Sequence, residues 1–208
     1  MSKKMIFLIA GLIFSMMLTS CGLKQTKPVF SSKSVDPGSH VTRQGVIFSL
    51  KGEPIKIGHM FPDTKLIDSE TMATINLNDF KGNVLFLSIV PSIDTKVCEI
   101  QTHYLGEEGD KLPENVKRIT VSRDTPFAQS RFAHEADLED MIYLSDYKDG
   151  SFGRSVGLLI NDLMLLARSV VLVDKSGTVK YIQVVPEITN LPDMEQAFIK
   201  AKELTELN

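Results

Sequence analysis

The sequence has 208 residues, of which 43% are hydrophobic and 24% charged, a balance typical of a globular domain and too apolar for a disordered chain. Its 23 basic and 26 acidic residues nearly cancel, which leaves no positive surplus for a phosphate backbone and argues against nucleic acid as a partner. Two cysteines, Cys21 and Cys98, are too few for a disulfide scaffold, a four-cysteine zinc site or an iron–sulfur cluster. We therefore expect one folded domain whose two sulfurs act separately or as a single pair.

The first 20 residues have the pattern of a secretory signal peptide. Lys3 and Lys4 precede an uncharged, apolar run over residues 5–18, and these 14 residues are fewer than a membrane-spanning helix needs. The signal ends in residues 18–22, Leu-Thr-Ser-Cys-Gly, which resemble a bacterial lipobox. In that motif the cysteine thiol is diacylated and the peptide is cut just before it, so residues 1–20 are predicted to be a lipoprotein signal peptide.

Lipidation of Cys21 would anchor the chain to the cell envelope without a transmembrane helix. Cleavage would leave 188 residues and change the net charge from -3 to -5, because Lys3 and Lys4 are removed. Gly22 carries no Asp-type retention signal, which favours the outer membrane over the extracytoplasmic face of the inner membrane. The alternative is an ordinary signal peptide in which Cys21 has no role.

The rest of the chain divides into a polar segment and a folded body. Residues 21–41 lack an apolar pattern and predict a flexible tether, followed by a domain over residues 42–208. In that domain, residues 46–50 and 54–57 flank Gly52 and predict an N-terminal β-hairpin.

The central part of the domain predicts alternating strands and helices. Residues 84–90 form a continuous apolar run typical of a strand buried on both faces, and this run ends at Pro91. A helix through Tyr104 and a strand over residues 116–121 complete a parallel crossover. Further predicted elements are a helix from Asp124-Thr125-Pro126 through Phe132, strands over 142–144, 167–173 and 178–185, and a helix over 192–207. This order predicts an α/β, thioredoxin-like fold with a central mixed sheet flanked by helices.

Cys98 lies where the chain turns from a buried strand into the first turn of a helix. Ligands of open α/β sheets gather at this edge, and the backbone N–H groups of a helix start favour an anion. A thiol in such a place loses its proton more easily, and the thiolate is the nucleophile. Cys98 is therefore a candidate nucleophile, the alternative being a small buried core residue.

Residues 91–98, Pro-Ser-Ile-Asp-Thr-Lys-Val-Cys, resemble the peroxidatic loop of peroxiredoxins, in which a proline is followed by Thr or Ser and then, three residues later, by cysteine. Within that superfamily the Ser-Ile-Asp-Thr run is similar to the bacterial thiol peroxidases. Further matches to their motifs are residues 125–132, Ala167-Arg168, 187–189 and 192–193. The resemblance covers roughly residues 42–208 and implies a peroxiredoxin fold.

The resemblance also implies roles for individual residues. The Cys98 thiolate would attack the terminal oxygen of a hydroperoxide, giving a sulfenic acid and releasing an alcohol or water. Thr95 would place its hydroxyl beside the sulfur, Pro91 would shield the site from water, and Arg168 would hold the thiolate and polarise the O–O bond. Arg131 is a possible supporting residue. Considered alone, Pro91 ends a strand, Thr95 caps a helix and Arg168 is a solvated charge.

A second sulfur is missing from the expected place. In most thiol peroxidases of this type, the run matching residues 127–132 is followed by the resolving cysteine, and here that position is Ala133. Cys21 is no substitute, because an acylated sulfur is a thioether. We therefore expect a one-cysteine cycle, in which an external thiol or a thioredoxin-like protein, or a second Cys98 through an intermolecular disulfide, reduces the sulfenic acid.

The predicted function is a lipid-anchored thiol peroxidase of hydrogen peroxide or of organic and lipid hydroperoxides, without a cofactor or metal, and the resemblance implies a homodimer. The histidines at positions 40, 59, 103 and 134 lack metal-ligand spacing. The alternative is a non-catalytic or redox-sensing envelope lipoprotein that retains the peroxiredoxin fold. A disulfide reductase is a poor fit, because residue 95 is Thr and residue 101 is Gln, so Cys98 has no Cys-x-x-Cys partner.

Overall fold

The computed structural model describes residues 28–206, apart from the side chain of Asp110, so the predicted signal peptide and Cys21 lie outside the described residues. Strands β1 to β13 comprise Phe30–Ser31, His40–Arg43, Val46–Lys51, Lys65–Asp68, Thr74–Asn76, Val84–Ile89, Val116–Ser122, Ile142–Ser145, Leu159–Ile160, Leu165–Leu166, Ser169–Val173, Val179–Val184 and Leu191–Pro192. Helices α1 to α4 comprise Lys96–Glu107, Pro126–Glu135, Ser151–Ser155 and Met194–Glu206, and short 3-10 helices span Leu77–Phe80 and Gly109–Lys111.

A seven-stranded mixed sheet in the order β12-β11-β6-β7-β8-β4-β5 forms the centre of the domain. Strands β6, β7 and β8 are parallel, and β6 and β7 pair from Val84 with Val116 to Ile89 with Val121. The chain passes from β6 through α1 to β7, which confirms the predicted parallel crossover. All six residues of β6 are buried, as expected for a strand covered on both faces. The thioredoxin-like α/β fold with a mixed sheet is confirmed.

Two layers cover the sheet, and the side chains of β6 alternate between them. Val84 and Phe86 pack in an apolar cluster with α4, where the Phe86 and Phe198 rings lie 5.2 Å apart. Leu85 and Leu87 face the other cluster, which includes residues of the small four-stranded sheet β10-β9-β3-β2. Period-two alternation thus builds a core on each side of one strand.

The N-terminal hairpin exists, but its turn is not at Gly52. Strands β2 and β3 pair around Gln44 and Gly45, whose φ angles of 51° and 82° are those that a two-residue hairpin turn requires. Residues 54–57 form no strand, so the predicted hairpin over 46–57 is wrong. Gly52 instead lets the backbone pass close to Arg154, because a Cβ at position 52 would lie 1.9 Å from the carbonyl oxygen of Arg154.

The flexible tether predicted for residues 21–41 is wrong over the described part, residues 28–41. Strand β1 pairs in parallel with β13, and β2 belongs to the hairpin. The side chain of Gln183 donates a hydrogen bond of 2.6 Å to the carbonyl oxygen of Ser31. We call residues 28–35 the N-terminal arm. The arm also makes apolar contacts, because the Phe30 and Tyr104 rings lie 6.1 Å apart and Val35 packs against the core.

Most other predicted elements agree with the structure to within two or three residues. Helix α2 begins at Pro126, with Thr125 as its N-cap, and the hairpin of β11 and β12 and the last helix α4 are present. The elements that the sequence did not predict are β1, β2, β4, β5, β9, β10, β13, α3 and the two 3-10 helices, all of five residues or fewer. Within residues 28–206 no helix combines the length and the apolar character needed to cross a bilayer.

Candidate active site

Cys98 occupies the first turn of α1 and is completely buried. Thr95 is the N-cap of this helix, with extended backbone angles, yet its side chain makes no capping hydrogen bond. Instead, the Thr95 hydroxyl lies 3.0 Å from the sulfur of Cys98 and donates to it. An N-cap side chain ordinarily accepts a hydrogen bond from a backbone N–H of the first helical turn, but here the Thr95 side chain is directed at the thiol.

Arg168 brings a positive charge to the same sulfur from the start of the neighbouring strand β11. It immediately precedes β11, whose Ser169 pairs with Ile89 at the end of β6. Its guanidinium is 2% exposed, and its Nη2 donates to the Cys98 sulfur over 3.2 Å. A charge-assisted hydrogen bond of this kind stabilises a thiolate more than a thiol.

The guanidinium of Arg168 also donates hydrogen bonds to acceptors other than the sulfur. Nε donates to the carbonyl oxygen of Ile188 over 2.8 Å, and Nη1 donates to Oε1 of Gln101 over 2.8 Å. The amide nitrogen of Gln101 in turn donates to the hydroxyl of Ser88 in β6 over 2.9 Å. Gln101 and Ser88 are both completely buried. The central sheet thereby sets the position of the arginine that contacts Cys98.

Sequence reasoning missed Gln101 as a residue of the site. Its signal was a polar residue three positions after Cys98, on the helical face that also buries Leu105. A buried amide needs hydrogen-bond partners, so a glutamine in that stripe indicates a polar network in the core.

The loop that carries Pro91 and Thr95 is held by the start of α2. The carboxylate of Asp124 accepts hydrogen bonds from the Ser92 hydroxyl at 2.8 Å and from the backbone N–H of Ile93 at 2.6 Å. Arg131 pairs with Asp94 at 3.1 Å, and both side chains are more than half exposed. Arg131 therefore contacts the loop and has no contact with the sulfur of Cys98.

An open cleft of about 320 Å³ lies beside the sulfur. Pro91, Thr95 and Arg168 line it, together with the apolar side chains Val97, Leu165 and Ile188. Cys98 is beneath this surface, and the two side chains that contact its sulfur belong to the cleft wall. The structure thus brings Thr95, Cys98 and Arg168 together and places Pro91 in the adjoining wall.

Ala133 lies on α2 and is 6% exposed, packed in the same apolar cluster as Ile93 and Tyr143. Cys98 is the only cysteine among residues 28–206 and is not in a disulfide. In this part of the chain, no three His, Cys, Asp or Glu side chains are grouped so as to hold a metal ion. The site is built from one thiol, one guanidinium and neutral hydrogen-bonding groups.

Comparison with known proteins identifies the family of the chain. Residues 56–198 match the Redoxin family model. The chain is 41% identical over 162 residues to the thiol peroxidase of Halalkalibacterium halodurans, covering 78% of this chain and 96% of that protein. It is 39% identical over 166 residues to the thiol peroxidase of Bacillus subtilis, covering 80% of this chain and 98% of that protein.

A solved structure has the same fold. The crystal structure of a peroxiredoxin-like protein from Aquifex aeolicus superposes with a TM-score of 0.74 at 33% identity, covering 79% of this chain and 96% of that one. The chain belongs to the Redoxin family and is an enzyme of its bacterial thiol peroxidase group.

Proposed function

We propose that Cys98 reduces hydroperoxides through a sulfenic acid. The thiolate attacks the terminal peroxide oxygen, an S–O bond forms and the O–O bond breaks. The sulfur is oxidised, the peroxide is reduced, and the leaving oxygen takes up a proton to depart as an alcohol or water. One observation carries the proposal: Arg168 and Thr95 both donate hydrogen bonds to the sulfur of Cys98.

Each neighbour of the sulfur has a distinct task in this reaction. Arg168 stabilises the thiolate and the negative charge that develops on the peroxide oxygens. The Thr95 hydroxyl orients the peroxide as it meets the sulfur. Pro91 keeps water away from the reacting atoms, and Arg131 supports the loop through Asp94. The catalytic residues we propose are thus Cys98, Thr95, Arg168 and Pro91, with Arg131 in support.

The sulfenic acid is reduced by a thiol from outside the chain. Position 133 is alanine, and Cys98 is the only sulfhydryl among the described residues. Because Cys98 is completely buried, a reductant reaches its sulfur only when the first turn of α1 moves. Without a reductant, excess peroxide drives Cys98 to sulfinic acid.

We further propose that the mature protein is lipid-anchored through Cys21 in the cell envelope. The lipobox-like residues 18–22 and the short apolar run before them support this. Metabolic labelling with an alkyne fatty acid should mark the wild-type chain and leave Cys21→Ser unlabelled. Labelling of both would contradict the proposal.

Sedimentation of the purified protein tests the homodimer that the family resemblance implies.

A sulfenic-acid probe tests the central step. We expect that one equivalent of peroxide makes Cys98 reactive to a dimedone-type probe, and that mass spectrometry locates the adduct on the peptide containing residue 98. Cys98→Ser is the control. Absence of the adduct in wild type, or equal labelling of both proteins, would overturn the proposal.

The redox-sensing alternative rests on one observation, Ala133 at the position of the resolving cysteine. A sensor forms the same sulfenic acid but does not turn over. Repeated peroxide consumption with dithiothreitol as donor would identify an enzyme, and consumption that ends after one equivalent would favour the sensor.

A further inference from the structure

The cleft beside Cys98 carries an excess of positive charge. Its lining includes Arg43, Lys96 and Arg168, and none of its eleven lining residues is Asp or Glu. Arg168 is committed to the sulfur, to Gln101 and to a backbone carbonyl. The other two cations take no part in the contacts that hold the sulfur.

Arg43 and Lys96 reach the cleft from different elements. Arg43 is the last residue of β2 in the N-terminal hairpin, and Lys96 is the first residue of α1. Both residues are exposed. Among residues 28–206 neither side chain has an ion pair or a hydrogen bond to another residue. These two charges are available to a ligand.

The acidic side chain next to the cleft wall, Glu187, already has hydrogen-bond partners. Glu187 precedes the lining residue Ile188, and its carboxylate accepts hydrogen bonds from the hydroxyls of Thr42 at 2.9 Å and Thr189 at 2.8 Å. Partial burial alone would raise the pKa of Glu187, but hydrogen bonds from Thr189 and Thr42 lower it below its ordinary value. Its carboxylate is therefore held by hydroxyl groups, and in the described part of the chain it forms no ion pair with Arg43.

Apart from Ser92, Thr95 and Thr189, the rest of the cleft wall is apolar. Pro91, Val97, Leu163, Leu165 and Ile188 contribute to it. The cleft has a volume of about 320 Å³, which is more than hydrogen peroxide requires. An apolar wall with a few convergent polar groups is typical of a site for an organic ligand.

We propose that this cleft selects organic hydroperoxides that carry a carboxylate, with the carboxylate at Arg43 and Lys96 and the apolar chain along Leu163, Leu165 and Ile188. The inference rests on the proposed reaction at Cys98 and adds the chemical class of substrate. The hydroperoxide group then faces the gap between Thr95 and Arg168. A carboxylate held at the mouth orients the chain and raises the rate of the first step.

A matched pair of substrates separates this inference from the reaction itself. The reduced full chain is mixed with a hydroperoxy fatty acid and with its methyl ester, each below its micelle concentration, and oxidation of Cys98 is followed by stopped flow. Hydrogen peroxide serves as the reference substrate. Arg43→Ala, Lys96→Ala and the double variant are compared with Lys51→Ala, which removes an exposed cation of the same hairpin that does not line the cleft.

We expect wild type and Lys51→Ala to oxidise about five- to tenfold faster with the acid than with the ester at low ionic strength, as for about 1 kcal/mol of charge pairing. The ratio should approach one in the double variant and should shrink in salt, because both cations are solvent-exposed. Equal rates with acid and ester in wild type, or an unchanged ratio in the double variant, would overturn the inference while leaving the Cys98 reaction intact. No Cys98 oxidation by any peroxide would overturn the proposed function as well.

Discussion

Nη2 of Arg168 lies 3.2 Å from the sulfur of Cys98, although 70 positions separate the two residues in the chain. The contact exists because β6, which leads to Cys98, pairs with β11, which Arg168 precedes. The fold thereby places a permanent positive charge against a buried thiol, and removing that charge should slow the reaction with peroxide more than any other single change near the sulfur.

Arg168→Met keeps an unbranched apolar stem, although a shorter one, and removes the charge. Loss of a preorganised donor to developing charge costs about 100- to 1000-fold, so we expect a decrease of that order in the rate of Cys98 oxidation. Arg168→Lys should recover part of the rate, because it restores a charge without the planar fork. Stopped-flow oxidation by hydrogen peroxide measures both variants. A wild-type rate in Arg168→Met would contradict the account.

The Arg168→Met variant should also be less stable than wild type. The carbonyl of Ile188 and the amide oxygen of Gln101 both lose a donor in Arg168→Met. A buried polar group left without a partner costs about 1–3 kcal/mol. Urea unfolding at the temperature of the kinetic assay should show this loss and also confirm that the variant is folded.

Thr95→Val should separate catalysis from helix stability. The hydroxyl contacts the Cys98 sulfur and makes no capping hydrogen bond, so its removal should change the free energy of unfolding by less than about 0.5 kcal/mol. A lost hydrogen bond to a charged group predicts a rate roughly 10- to 100-fold lower. Thr95→Ser, which keeps the hydroxyl, is the matched control. If Val and Ser variants react equally fast, the hydroxyl has no role in the reaction.

Gln101 is a positioning residue that acts through Arg168. Gln101→Leu removes the acceptor of Nη1 and should lower the rate about tenfold. Gln101→Glu keeps an acceptor for Arg168 but loses the donor to Ser88. We therefore expect Glu to restore most of the rate without restoring stability, a separation that a purely structural role would not produce. Parallel losses of rate and stability in both variants would argue against positioning.

The sequence predicts those structural features that depend on residues close together in the chain. The strand ending at Pro91, the helix start at Thr95 and the capped helix at Thr125 follow from short patterns, and all agree with the structure. The partners of Cys98 come from distant strands, and the position of Arg168 was expected only from resemblance to a family. The link from Gln101 to Ser88 depends on which faces of a helix and a strand meet, which periodicity alone does not give.

Two local predictions failed for identifiable reasons. Gly52 looks like a hairpin turn, but the turn uses Gln44 and Gly45, and glutamine is not a residue that favours positive φ. The arm over residues 28–35 is held by hydrogen bonds to strands at the far end of the chain. Its apolar residues are too few to form a period of two or 3.6, so a local pattern does not show that the segment is folded.

Gln183→Leu should loosen the N-terminal arm without disturbing the sheet. The Gln183 amide donates to the carbonyls of Ser31 at 2.6 Å and Lys33 at 3.3 Å. Hydrogen exchange should accelerate at the amide of Val35, which bonds to Val184, and remain slow in β6. Equal acceleration in β6 would indicate global destabilisation, and unchanged exchange at Val35 would show that the backbone contacts alone hold the arm.

Peroxide consumption by the reduced protein tests the central claim most directly. We predict that wild type consumes one equivalent of hydrogen peroxide per chain without a donor and consumes it repeatedly once dithiothreitol is added, after the non-enzymatic rate is subtracted. Cys98→Ser should do neither. Intact peroxide after incubation with reduced wild type, or equal consumption by Cys98→Ser, would contradict the account.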